Sequence, residues 1–191
     1  MRLTAFVLLG SMWAACTSGG SAHQRQISRL DSLTETYLHL HDTVLFTWNS
    51  ILRDEQQKIA MLNELIGRLE TSQLFDEATL ASLRTRLEQL ERIHLTPKTL
   101  ANPDVVDEYD FASAHLIVEL TTLFETNTAL LNHPDWQQLI DEVKTVDMRG
   151  SLARDTYDSL AWQLNRFIEE HLDLMPDIAP QSGLERANYF K

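Results

Sequence analysis

From Ile27 to about Glu70 the chain has no proline and a single glycine, Gly67, and its apolar residues return at helical intervals. Tyr37, Val44, Trp48, Leu52, Ile59, Leu62, Ile66 and Leu69 stand three, four or seven positions apart, which gathers them on one face of a long amphipathic helix. A second series, Leu80, Leu83, Leu87 and Leu90, follows Asp76, a residue suited to cap a helix N-terminus, and stops before Pro97. Asn102 and Pro103 offer a cap and a first turn for a third helix, with Phe111, Ile117, Leu120, Phe124 and Leu131 as its buried face up to Pro134. The last series runs Trp136, Leu139, Val143, Val146, Gly150, Ala153, Tyr157, Leu160, Leu164, Phe167, His171 and Leu174, in alternating steps of three and four that end at Pro176 and Pro180. Such spacing suits helices that cross at a shallow angle.

Four helices joined by short connections predict an all-α fold, an antiparallel four-helix bundle over residues 27–176. The first and last helices, each of about forty residues, would reach roughly 60 Å at about 1.5 Å per residue, so the bundle is expected to be elongated, with two shorter helices between them. The tail, 177–191, carries Ile178, Leu184, Tyr189 and Phe190 and is expected to pack back on the bundle rather than leave them exposed. Only six Gly and five Pro in 191 residues agree with helices rather than a turn-rich β fold.

The first sixteen residues have a different pattern: Arg2, an apolar run from Leu3 to Ala15, then Cys16, the sole cysteine. A positive residue, a short apolar stretch and small residues before the cleavage point make a signal peptide over 1–15. A helix of that length covers roughly 20 Å, short of a hydrocarbon core of about 30 Å. The Ala-Ala-Cys ending resembles a bacterial lipoprotein signal, in which the thiol is acylated and becomes the mature N-terminus, although Trp13 stands where that signal usually has an aliphatic residue. Residues 16–26 are then the anchor cysteine and a flexible tether, the two glycines and two serines from Thr17 to Ala22 supplying the flexibility. Ordinary secretion with a free thiol is the alternative. A formal charge of −12 opposes binding to nucleic acid and to anionic headgroups, so membrane attachment is expected through acyl chains.

Catalytic apparatus is sparse. Glu91 and His94 form one Glu-x-x-His, the metal-ligand pair of di-iron bundles, but such sites need two copies, and His94 also continues the Leu80–Leu90 seam. His39 and His41 are two apart and point to different sides of a helix, while His171 sits near a helix end where its charge suits the dipole. Glu55 interrupts the apolar seam of the first helix and needs a partner or water: it is either a register-setting polar residue or part of a ligand site inside the bundle. Ser50, Ser82, Ser113 and Ser159 lack a nucleophile elbow, and there is no glycine-rich phosphate loop. No cofactor and no enzymatic activity are expected.

Three stretches, HPDWQQLIDEV, ARDTYDSLAWQLNRFI and IAPQSGLERANYF, bring Pro134, Leu139, Glu142, Ala153, Arg154, Tyr157, Asn165, Ile168, Ile178, Ala179, Gly183, Tyr189 and Phe190 into one register. With Trp48, Ile51, Gln57 and the segment from Met61 to Ile66, they resemble the LemA family of helical, membrane-associated bacterial proteins. The departures are Asp158 for an Asn, Leu164 for a Tyr, Leu184 for a Phe, and Asn63 for a proline. The resemblance implies an antiparallel four-helix bundle held at a membrane outside the cytoplasm, and carries over no catalytic residue. Arg154, Tyr157 and Asn165 are its candidate motif, as bridges between helices or as a partner-binding patch. The expected function is a non-enzymatic, lipid-anchored envelope protein that serves an unknown envelope protein partner as scaffold or interaction module. The alternative is a bundle that binds a metal or small ligand through Glu91 and His94, with Glu55.

Overall fold

The computed structural model describes residues 18–180 and 186–190; the signal segment, Cys16, Gly183 and Leu184 lie outside the described residues. The N-terminal apolar series forms one helix, α1 (Ser18–Ser72), about 80 Å long at about 1.5 Å per residue. Helix therefore begins inside the stretch expected to be a tether. Extending an existing helix adds one hydrogen bond per residue fixed and needs no new nucleus, so the glycines do not stop it. Gln73, at φ 57°, turns the chain into the left-handed region and ends α1.

Helix α2 (Glu77–Arg92) is capped by the Asp76 carboxylate, which accepts from the Thr79 amide at 2.9 Å. It stops five residues before Pro97, because Ile93 is already extended. Helix α3 (Pro103–Thr126) is capped by Asn102 and begins with its proline. It ends earlier than the apolar pattern predicts: Asn127 leaves the helix, and Thr128–Asn132 is a short 3-10 segment. Phe111, expected in the core, is 66% exposed, and the inward face is Val106, Tyr109, Ser113, Leu116, Ile117, Leu120 and Phe124. Helix α4 (Pro134–Glu170) has 37 residues, fewer than expected; His171 caps it and a 3-10 turn, Leu172–Leu174, leads into α5 (Met175–Ile178). No strand occurs among the described residues, and none of their helices is long and apolar enough to cross a membrane.

Contacts along the helices give their directions. Tyr37 meets Phe167, Trp48 meets Tyr157, Lys58 meets Asp147 and Arg68 meets Asp135, so α1 and α4 run antiparallel along most of α4. Asn63 bonds Glu91 and Arg84 pairs with Glu70, which makes α2 antiparallel to α1. Asp110 reaches Arg154 and Ser113 reaches Asp147, which does the same for α3 and α4. The stripe that α1 buries is Tyr37, Val44, Trp48, Ile51, Glu55, Lys58, Leu62, Leu65 and Leu69, two of them charged.

Gly67 lies inside α1, and a Cβ there would meet nothing within 4 Å. Gly67→Ala is accordingly expected to stabilise the fold by about 0.5–1 kcal/mol, the usual helix-interior difference between the two residues, read as a higher urea midpoint.

Candidate functional site

The buried stripe of α1 brings Glu55 and Lys58, one turn apart, against α3 and α4. Lys58 is 2% exposed; its Nζ lies 2.8 Å from Glu55 Oε2 and 2.9 Å from Asp147 Oδ1 on α4. Arg154, also on α4, donates from Nη2 to Glu55 Oε1 at 2.8 Å and from Nη1 to Asp110 of α3. The Tyr109 hydroxyl donates to Glu55 Oε2, and both cations lie over the Tyr109 ring, at 5.1 and 5.3 Å from its centroid. Glu55 thus ties three helices together. Gly150 lies beside it: a Cβ there would sit 3.4 Å from Glu55 Oε1, an ordinary contact distance. Next to Glu55 on α1, buried Asp54 takes a two-pronged bond from Arg149, at 2.9 and 2.6 Å.

Burial acts to lower the pKa of Arg154, but the charges of Glu55 and Asp110 outweigh it and hold the guanidinium above its ordinary range. Burial, and then the charge of Glu55, push the Tyr109 phenol far above its ordinary value. Tyr157 is pushed up to about 12, by burial first and then by Asp158. A phenol with a raised folded pKa contributes stability that is complete below its unfolded value, about 10, and is lost as the pH rises through the folded one. Alkaline unfolding is therefore expected from about pH 10 upward, with phenolate absorbance and helicity changing together. Tyr157→Phe should move that transition to higher pH.

The second constellation is where the tail returns. Asn165, buried on α4, reads the backbone of Ala187 in both directions: its Oδ1 accepts from the amide and its Nδ2 donates to the carbonyl, each at 2.8 Å. Nδ2 also donates to the Tyr189 hydroxyl at 2.7 Å. Phe190 enters the core, stacked on Trp48 at 5.9 Å and edge-on to Tyr157 at 5.5 Å, with the Arg154 guanidinium 5.1 Å from its ring. Its amide donates to Asp158 Oδ1 at 2.8 Å. Arg154, Tyr157 and Asn165 are thus brought to one junction of α1, α3, α4 and the tail. Asn165 bonds the tail rather than a neighbouring helix.

No family model matches the chain, and no curated protein and no solved structure matches it.

Glu91 and His94 do not converge. Glu91 is exposed on α2 and accepts from Asn63, whereas His94 lies beyond the end of that helix, exposed, its carbonyl taking the Thr99 hydroxyl. His94 therefore does not continue the leucine seam. Among the described residues no group of three or more His, Cys, Asp or Glu is arranged to hold a metal ion. His171 stacks on Phe167 at 4.4 Å, and half-buried His41 stacks on Tyr37 at 5.8 Å. The residues that sequence reasoning missed are Lys58, Tyr109, Asp110, Ser113 and Asp147. Lys58 carried a signal, since it follows Glu55 by three in a seam that continues to Leu62 and Leu65.

Proposed function

We propose that the chain is a non-enzymatic, lipid-anchored envelope protein of the LemA-like kind. Residues 1–15 direct export, acylated Cys16 holds the membrane, and α1–α4 form an antiparallel four-helix bundle outside the cytoplasm that acts as a scaffold or interaction module. One observation carries the reading. Five residues quoted for the resemblance, Arg154, Tyr157 and Asn165 on α4 and Tyr189 and Phe190 in the tail, stand in two groups 24 positions apart yet meet at the tail junction. A motif spread over a helix and a tail acquires a common physical purpose if its members build one joint. The charged groups at the core, Glu55, Lys58 and Arg154, are engaged with one another, as in an element that fixes register.

Crosslinking in intact cells, with fractionation and mass spectrometry of what co-purifies, tests the proposal beside a Cys16→Ala control. Membrane recovery lost in the control, together with a reproducible envelope partner, is the expected result. Unchanged membrane retention of Cys16→Ala would overturn the anchor, and the lack of a partner above background would overturn the interaction module.

A further inference from the structure

Between α3 and α4, beside the Glu55 cluster, is a cavity of about 180 Å³ lined by Glu55, Asp110, Ser113, Asp147, Ser151 and Arg154. A cavity of about 150 Å³ is enough for a benzene-sized guest, so this one has room for a small polar molecule. Small side chains line part of it, at buried Ser113 and at exposed Ala114 and Ser151. It reaches solvent past the Asp110 and Asp147 side chains, 54% and 41% exposed.

Three features of the lining define the guest. The cluster holds three carboxylates, Glu55, Asp110 and Asp147, against two cations, Lys58 and Arg154, so it has one negative charge in excess. Asp110 and Asp147 both line the cavity, and a carboxylate has about four acceptor sites, so each can take a further donor beside its bonds to Arg154 or to Lys58 and Ser113. Independently, Arg154 Nε is a buried donor with no partner among the described residues, in a side chain that lines the cavity. A buried N–H left unmatched calls for an acceptor that occupies the adjoining space. The guest must supply a cationic donor for the carboxylates and a neutral acceptor for Arg154. A carboxylate or phosphate on the guest would be opposed by the excess negative charge.

We propose that this cavity is a binding site for a small amino alcohol, a primary ammonium and a hydroxyl a few bonds apart. The ammonium donates to Asp110 and Asp147, and the hydroxyl oxygen accepts from Arg154 Nε. The proposal is independent of the membrane anchor and of the scaffold role.

The test is a titration of the full-length chain with ethanolamine, followed by amide chemical shifts. Saturable shifts confined to the region of residues 110–114 and 147–154 are expected. Choline, which has no N–H, and phosphoethanolamine, which is anionic, should bind at least tenfold more weakly. Ser151→Leu fills the mouth with a good helix former and touches none of the ion pairs; it should abolish the shifts while thermal unfolding stays near that of the wild type. Asp110→Asn should weaken binding about tenfold. Shifts that do not saturate, equal responses to choline and ethanolamine, or an undiminished response in Ser151→Leu would each show that the cavity holds water only and would overturn the assignment.

Discussion

Replacing Glu55 by leucine is expected to destabilise the folded chain by about 3–5 kcal/mol, the usual cost of removing one member of a buried ion pair. The size follows from what is stranded. Without the carboxylate, Lys58, 2% exposed, keeps only Asp147, the Tyr109 hydroxyl has lost its acceptor, and Arg154 keeps only Asp110. Burying a cation without full compensation is costly because the interior cannot replace its water shell. Removing both charges is a different matter. In Glu55→Leu with Lys58→Met, the buried ammonium is gone, Asp147 is open enough to be hydrated, and Arg154 still pairs with Asp110. The double variant is expected to recover most of the loss and to be more stable than Glu55→Leu alone, with a coupling of about 1–3 kcal/mol. Urea unfolding of the four chains of the cycle measures this. A double variant as unstable as the sum of the singles would mean that the two residues act separately and that the cluster does not hold the three helices as a unit.

That cluster also marks the limit of what could be read from residues alone. Helix class, the Asp76 cap and the Asn102–Pro103 entry are local matters, written in side chains within a few positions of one another. Glu55 stood out because a carboxylate broke a seam of apolar residues. Its partners did not, since Tyr109, Asp110 and Asp147 lie 54 or more positions away and only the crossing of α1, α3 and α4 brings them together. The same holds for face assignments. Phe111 and Tyr109 differ by two positions, which puts them on nearly opposite sides of α3, so burying one ring exposes the other; Tyr109 is the one inside, where its hydroxyl serves Glu55. Helix ends were misplaced where no cap or proline marks them: α1 reaches back to Ser18, and α2 and α3 stop short of the prolines that were read as their limits. Glu91 and His94 failed as a pair for this reason. Their spacing has the helical meaning only if the helix includes both, and Ile93 ends it between them.

Phe190→Ala is expected to destabilise the chain by about 3 kcal/mol, near the lower end for loss of a core phenylalanine, because a segment outside the helices can move away instead of preserving a cavity. Phe190 is 8% exposed although it lies outside the helices, and it packs against both Trp48 and Tyr157. It cannot stay there unaided. The backbone that carries it is held by Asn165 through the amide and carbonyl of Ala187, and by Asp158 through its own amide. Asn165→Ala removes a buried side chain that makes three hydrogen bonds and should cost about 1–3 kcal/mol. If the tail is seated as a unit, the two substitutions release the same segment, and combining them should cost little more than Phe190→Ala alone. Hydrogen exchange gives the local counterpart: the amides of Ala187 and Phe190 should lose protection together in either variant, while those in the middle of α1 keep theirs. Full additivity of the two losses, or loss of protection at Phe190 with Ala187 still closed, would show that the ring and the amide clamp hold the tail independently. In that case the junction that joins Arg154, Tyr157 and Asn165 would be two separate contacts, and the structural support for reading them as one motif would go with it.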